Sequence, residues 1–243
     1  MNYQKGDLLY EGKAKKIFAV IDHEDLIWQE FKDSFTAFNG EKKAEMAGKG
    51  RINRQISSLI FKKLADAGLE SHWVTDHGDT EMITKKLEMI SLEVVVRNIL
   101  AGSTAKKFNI AEGSPLENPL VEFYYKKDEL GDPFISAEQA MMLQTLNVEE
   151  DIYLLKEKAL KVNRVIRPMF AAAGIDLVDF KIEFGYLSDG TTMLADEISP
   201  DSCRLWDKET QKKMDKDRFR RDLGEVIENY EEVLQRLLQL ETP

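Results

Sequence analysis

The 243-residue sequence has one cysteine, Cys203, so no disulfide can form within the chain, and a reducing, cytoplasmic setting is expected. No histidine lies near Cys203 in sequence, which argues against a cysteine nucleophile. The three histidines, His23, His72 and His77, show no metal-ligand spacing, so a zinc site is not expected. No apolar run approaches the ~18 residues of a membrane span. Residues 1–7 carry no apolar signal core. Positive charge is in deficit: 34 Lys and Arg against 44 Asp and Glu, a net charge of −10. Nucleic acid and anionic membranes are therefore poor generic partners, and an anionic substrate would need the basic residues focused in one place. Internal repeats and low-complexity segments are absent.

What is present suits a folded enzyme-sized chain. A hydrophobic share of 43% permits a sizeable core, and the 32% of charged residues are mixed in sign. The length fits one large domain or two small ones.

The densest signal lies at residues 177–199. Two alternating runs, Leu177-Val178-Asp179-Phe180-Lys181-Ile182-Glu183-Phe184-Gly185-Tyr186 and Thr191 to Ser199, flank Asp189-Gly190, a strong hairpin signal. Alternation puts Asp179, Lys181 and Glu183 on one face and Phe180, Ile182 and Phe184 on the other. A two-residue turn pairs Ser188 with Thr191 and Glu183 with Asp196; a three-residue loop breaks that pairing. In the two-residue register, two carboxylates about 5 Å apart oppose each other, which destabilises a sheet. Such a pair calls for a cation, and hard oxygen ligands suit Mg²⁺. The alternative is a solvated face on which Lys181 neutralises Glu183.

Residues 8–20 read as strand, glycine turn, strand, with Lys13, Lys15 and Lys16 at the tip. Glycine lets backbone N–H groups approach a ligand, and lysines suit phosphates; an ordinary hairpin with a solvated basic tip is the other reading. The stretch is not a Walker A loop and lacks G-x-G-x-x-G. Residues 25–32 predict a third strand. The segment 33–40, with Phe35 and Phe38 expected to be exposed and a turn at Asn39-Gly40, is either a functional loop or a connector. Residues 45–67 predict a helix with Ile52, Ile56, Leu59, Ile60 and Leu64 as its core stripe and Gly68 as its stop. Two more strands are expected at 71–74 and 81–87. Composition shifts at 88–90, the expected boundary between an N-terminal lobe (1–88) and a larger C-terminal lobe (89–243).

The apolar run at 92–100 predicts a strand buried on both faces. Arg97 near its end, beside Ala101-Gly102-Ser103-Thr104 and a short helix over 104–108, is either an anion site or an arginine salt-bridged at the sheet edge. A loop at 113–119, a strand at 121–127 and a short helix after Ser136 follow. Asn147-Val148-Glu149-Glu150 has the look of a capping box opening a helix to about residue 173. Its inward stripe is Ile152, Leu155, Ala159, Val162, Ile166 and Met169, and Pro168 predicts a kink or an early end to its regular part. A polar loop at 199–207 carries Asp201, Ser202 and Arg204. Residues 217–240 predict one closing amphipathic helix, with Leu223, Val226, Ile227, Tyr230, Val233, Leu234 and Leu237 inward. Its first turns hold Arg218, Arg220 and Arg221, which oppose the helix dipole and call for an anion.

Taken in order, several of these stretches resemble the SAICAR synthetase (phosphoribosylaminoimidazole-succinocarboxamide synthase) family. The carrying residues are Tyr10-Glu-Gly-Lys-Ala-Lys15, Lys85-Lys86-Leu87, Glu93-Val-Val-Val-Arg97-Asn98 with Ala101-Gly-Ser103, and Val178-Asp-Phe-Lys-Ile-Glu-Phe-Gly185. Further on come Asp196-Glu-Ile-Ser-Pro-Asp201, Cys203-Arg204-Leu-Trp-Asp-Lys-Glu-Thr210 and Lys213-Met-Asp-Lys-Asp-Arg-Phe-Arg220, so the likeness runs nearly end to end. Some relatives carry aspartate at the position of Asn39.

The resemblance implies an α+β, two-lobed SAICAR synthetase fold, with an N-terminal antiparallel-sheet lobe, a larger C-terminal α+β lobe, and ATP in the cleft, akin to protein kinases and ATP-grasp enzymes. It implies an ATP-dependent ligase of de novo purine biosynthesis. The substrates would be L-aspartate and a phosphoribosyl aminoimidazole carboxylate (CAIR), and the products SAICAR, ADP and phosphate. A carboxylate is a poor electrophile, so activation through an acyl phosphate is expected. By the match, Lys13, Ala14 and Lys15 meet the ATP phosphates, Lys85, Lys86 and Met89 line the adenine site, and Lys126 and Lys181 lie near the nucleotide. Glu183 and Asp196 hold Mg²⁺. Arg97, Ser103, Asp201, Ser202, Arg204 and Arg220 bind the other substrates. No residue stands out as a general base. The resemblance also implies a cytoplasmic homodimer. Rival readings are a small-molecule kinase of similar bilobal fold, though the sequence lacks H-R-D-x-x-x-x-N and D-F-G, and a non-catalytic nucleotide-binding module.

Overall fold

Alternation and a tight glycine turn build the first sheet. β1 (Lys5–Glu11), β2 (Lys15–Val20) and β3 (His23–Phe31) form a meander, and β6 (Trp73–His77) and β7 (Glu81–Lys85) extend it. The antiparallel order is β1-β2-β3-β7-β6. The structure is a computed structural model and describes residues 3–37 and 40–241. The segment expected as a loop is instead a two-stranded sheet of β4 (Ser34–Ala37) and β5 (Lys42–Glu45). Phe35 is fully buried against Phe219 and Tyr230 rather than exposed; Phe38 and Asn39 lie outside the described residues. The helix expected from residue 45 starts later, as α1 (Lys49–Asp66), because β5 takes the residues before it. The Asp33 carboxylate accepts the Gly48 and Gly50 N–H groups at its head, at 3.2 and 2.8 Å, satisfying donors that a helix start leaves open.

The second sheet is also antiparallel. It contains β8 (Glu88–Ile99), β9 (Pro115–Tyr125), β10 (Phe134–Ile135), β11 (Ile175–Tyr186), β12 (Thr192–Ala195) and β13 (Cys203–Asp207). β11 pairs β8 on one side and β12 and β13 on the other. β9 begins at Pro115, so most of the expected loop at 113–119 is strand. α2 (Gly102–Lys107) follows β8, starting two residues before the helix expected at 104–108.

The hairpin register differs from that of a two-residue turn. Leu187 and Thr191 close a three-residue loop, the Leu187 N–H donating to the Thr191 carbonyl at 2.9 Å, with Gly190 at φ 83°. An αL residue at the third loop position is the usual device of such a hairpin. Glu183 therefore sits opposite Ala195, and Asp196 lies beyond β12. The carboxylate that does face Glu183 is Glu93, across the β11–β8 pairing.

α4 (Glu150–Ala172) runs through Pro168, so its regular part does not end early, and no capping box forms at Asn147; the capping box is Ser136 with Gln139, opening α3 (Ala137–Met142). The single closing helix expected at 217–240 is two, α5 (Asp217–Arg220) and α6 (Val226–Gln239). Asp222, Gly224 and Glu225 take positive φ between them. Arg218 donates to the carbonyls of Lys213, Leu223 and Gly224 at 3.0, 2.9 and 2.7 Å, so backbone oxygens answer it, and Leu223 is exposed rather than inward.

One core joins Ile52, Ile56 and Ile60 of α1 to Ile152 and Ile166 of α4, Phe180, Ile182 and Phe184 of β11, and Tyr230 and Leu237 of α6. Among the described residues, no helix is long and apolar enough to cross a membrane.

Candidate active site

Burying Phe180, Ile182 and Phe184 in that core turns Asp179, Lys181 and Glu183 to the opposite face of β11. Glu93 of β8 and Lys126, just past β9, join Lys181 and Glu183 along one wall of a cavity of about 640 Å³. The glycine turn between β1 and β2 forms the facing wall. The Gly12 N–H donates to the Lys15 carbonyl at 2.8 Å, and the Ser34 hydroxyl holds the Lys13 carbonyl at 2.7 Å. Leu9, Ile17, Ile27, Leu87 and Met89 supply an apolar slot beside Lys85 and Lys86.

Charge is tightly interleaved at the junction of the two walls. Lys15, buried, pairs with Asp196 and with Glu197 at 3.2 Å. Lys181 pairs with Glu93 at 2.7 Å and Glu183 at 3.2 Å, and Lys126 with Glu183 at 2.5 Å. Lys181 thus bridges the opposed carboxylates of Glu93 and Glu183. Burial opposes the charges of Lys15 and Lys181, but Asp196 and Glu197 around the first, and Glu183 and Glu93 around the second, outweigh it and hold both ammonium groups above their usual range. Burial would likewise raise the Asp196 carboxyl; Lys15, Lys181 and Lys126 instead hold it well below the usual range.

At the other end, Lys49 is fully buried and donates to the Ser34 carbonyl at 2.6 Å while pairing with Asp201 at 2.7 Å. Tyr230 donates to the second Asp201 oxygen at 2.7 Å. Lys216 lines the same end; burial, with Lys49 and Arg220 nearby, lowers its ammonium below the usual range despite Asp201. Arg220 also lines the cavity and donates to Asp217 at 2.7 Å.

Of the residues singled out in the sequence, Lys13, Ala14, Lys15, Lys85, Lys86, Met89, Lys126, Lys181, Glu183, Asp196, Asp201, Ser202 and Arg220 line this cavity together. Arg97, Ser103 and Arg204 do not. Arg97 is buried against Asp179 and Glu122, the latter at 2.7 Å. Arg204 donates to Asp179 at 2.9 Å and to Asp217 at 3.0 Å. The five form a chain, Arg97–Asp179–Arg204–Asp217–Arg220, that ends at the cavity wall. Ser103 is exposed at the head of α2.

Sequence reasoning missed Lys49, Lys216, Glu93, Glu197 and His72, all of which line the cavity. Lys49 is legible only with the observed helix start. It is a cation at the head of a helix, where the dipole disfavours it, once the helix start is placed at residue 49 rather than at the expected 45. Glu93 had no signal, because its partner on β11 is set by a long-range register.

The SAICAR synthetase family model matches residues 8–237. The chain belongs to the SAICAR synthetase family. A phosphoribosylaminoimidazole-succinocarboxamide synthase of Bacillus cytotoxicus is 52% identical over 234 residues, covering 96% of this chain and 97% of that one. The crystal structure of the corresponding synthase from Ehrlichia chaffeensis superposes with a TM-score of 0.91 at 46% identity, covering 95% of this chain and 98% of the other. A SAICAR synthetase solved in complex with ADP superposes with a TM-score of 0.90 at 47% identity, over 94% of this chain and 96% of that one. The fold is the two-lobed SAICAR synthetase fold. SAICAR synthetases are ATP-dependent ligases of purine biosynthesis, and this chain is such an enzyme.

Proposed function

We propose that the cavity binds ATP with Mg²⁺ at the Lys15–Glu183 end and the acceptor substrates at the Lys49–Arg220 end, and joins the CAIR carboxylate to the amine of L-aspartate. The observation that carries this reading is the convergence of Lys15, Lys126 and Lys181 with Glu183 and Asp196 on one cavity. Lys13, Ala14 and Lys15 would bind phosphates across the glycine turn. Lys85, Lys86 and Met89, beside the apolar slot, would hold the base; the ADP complex of the relative supports nucleotide binding in this fold.

The donor set fits Mg²⁺. Glu183 and Asp196 offer hard carboxylate oxygens, and among the described residues no cluster of three or more protein ligands could cage a metal. Mg²⁺ suits that arrangement, since it is usually bound through one or two carboxylates together with substrate phosphates. When bound, the ion would supply neutralisation of the triphosphate charge. Lys15, Lys126 and Lys181 would spread the same charge and hold the terminal phosphate against the CAIR carboxylate. Phosphoryl transfer of this kind rests on positioning and electrostatics. Transfer gives an acyl phosphate on the CAIR carboxylate, which the aspartate amine attacks with loss of phosphate. Asp201, Ser202, Lys49, Lys216 and Arg220 would hold the aspartate carboxylates and the acceptor. Arg97, Ser103 and Arg204 would hold the CAIR phosphate beside α2.

Residues 1–88 and 89–243 make the two lobes, with α1 as the element that crosses between them, and the enzyme works as a cytoplasmic homodimer. Product analysis tests the reaction. With ATP, CAIR and L-aspartate, SAICAR forms one-for-one with ADP; ADP formation that does not require aspartate would overturn it in favour of a kinase. Light scattering tests the dimer.

A further inference from the structure

A second cavity lies behind Lys85–Glu88, and β1 carries exposed apolar side chains at Leu8, Leu9 and Tyr10. His72 lies just before β6, in the segment linking α1 to the first sheet, and is almost fully buried. Its backbone ties the two sheets together. Its N–H donates to the Leu194 carbonyl of β12 at 2.8 Å, and its carbonyl accepts the Lys85 N–H of β7 at 2.7 Å. The adjoining Ser71 makes an isolated bridge to Leu194. The imidazole Nε2 sits 3.0 Å from the Asp196 carbonyl. A carbonyl can only accept, so Nε2 carries the proton and donates. The ring packs edge-on against Phe61 of α1, centroids 5.6 Å apart at 75°, which fixes its direction.

Asp196 needs such a hold. Its φ is 61°, a conformation uncommon for a residue other than glycine. Positions of this kind persist only when their surroundings over-determine them. The strand β12 has ended one residue earlier, so among the described residues no ladder hydrogen bond fixes the Asp196 peptide. Among the described residues, the Asp196 carbonyl has the His72 ring as its hydrogen-bond donor.

We propose that His72 is a positioning residue: its Nε2–H pins the Asp196 backbone so that the carboxylate points into the cavity, and its own backbone couples that carboxylate to Lys85 at the nucleotide-base end. This rests on the reading that Asp196 is a magnesium ligand. It predicts that the ring acts on the cation end of the cavity and not on the acceptor end.

Two variants separate the hydrogen bond from the packing. His72→Phe keeps an aromatic ring against Phe61 but donates nothing; His72→Gln loses the ring but offers an amide N–H. Calorimetry on the purified full chain measures ADP binding without metal, then Mg²⁺ binding to the ADP complex. In H72F, Mg²⁺ binding weakens about tenfold, the scale of one lost buried hydrogen bond, while metal-free ADP binding and the CAIR KM stay within about twofold of wild type. H72Q recovers most of the loss. Equal impairment of both variants, or unchanged Mg²⁺ binding in H72F, overturns the proposal. Wild-type protein that binds no Mg²⁺ with ADP would instead defeat the magnesium reading itself. If H72F does not fold, long-range ¹H–¹⁵N spectra of the wild-type ADP complex decide: the His72 Nε2–H resonance moves when Mg²⁺ is added, and a static resonance overturns the coupling.

Discussion

A Cβ built on Gly102 would lie 2.5 Å from Nη2 of Arg204. The glycine at the head of α2 is therefore the space that the guanidinium occupies, and its φ of 62° would strain any side chain there. Gly102→Ala must displace the Arg204 guanidinium that Asp179 and Asp217 hold. We expect the CAIR KM to rise about tenfold or more, since a charged hydrogen bond is worth about 1.5–3 kcal/mol, with the ATP KM unchanged. Arg204→Ala should give the same split. Steady-state kinetics check both, and an unchanged CAIR KM in either variant contradicts the substrate role.

Glu183→Gln keeps the shape of a buried side chain while removing a charge from the Lys126–Lys181 cluster. Turnover should fall at least about a hundredfold, the scale of several kcal/mol of lost charge stabilisation, with the circular dichroism spectrum unchanged. Near-normal activity would sink the metal assignment.

Lys216 has cationic neighbours in Lys49 and Arg220, and burial lowers its ammonium below its usual range. An anionic substrate would relieve that imbalance. Lys216→Ala is expected to raise the aspartate KM about tenfold while leaving the ATP KM within about twofold. Equal effects on both substrates would mean that Lys216 does not belong to the acceptor end.

Asp215 is fully buried and accepts the N–H groups of Leu205 and Asp217 at 2.8 and 2.7 Å. Burial, then the Asp217 charge, push its carboxyl from 3.8 up to about 7. Between those values the native state holds a proton that the unfolded chain has released, so stability falls as pH rises through that window. Asp215→Asn lacks this titration. The Tm advantage of wild type over the variant should therefore shrink from about pH 4 to pH 8, and a constant difference across that range would count against it.

Arg218 closes the break between α5 and α6 by donating to three carbonyls. Arg218→Ala leaves those oxygens short of partners, at a cost of about 3 kcal/mol. Denaturant unfolding should show a lower midpoint, with kinetic constants less affected than in the Arg204 variant.

The alternating faces of β11, the glycine turn at Gly12 and the core stripe of α1 could all be read from local pattern, because each depends on spacing within one element. The hairpin register could not. It turned on whether Gly190 takes the third position of a longer loop, one residue of difference that moves Asp196 out of the strand. Asp196 is not the partner of Glu183; the carboxylate opposite it is Glu93, which only the pairing of distant strands could supply. The break before α6 escaped notice because Leu223 fits the helical stripe; Arg218 and the positive φ values at Asp222, Gly224 and Glu225 override that fit. Phe35 looked like a loop aromatic and is a core residue, since β4 and β5 fold its segment onto α6.

The packing of α1 has a mechanical consequence. That helix shares its core with α4, β11 and α6, so Lys49 at its head is fixed to the larger body even though it precedes residue 88. The five-stranded sheet has its own apolar cluster of Val20, Trp28 and Ile83, and joins the larger body where the chain crosses after β3, before β6 and after β7. Lys15 belongs to that sheet; Asp196, Glu197, Lys49 and Asp201 belong to the larger body. The Lys15 ion pairs therefore join the two bodies, whereas the Lys49–Asp201 pair lies within one of them, so the acceptor end is built without the sheet.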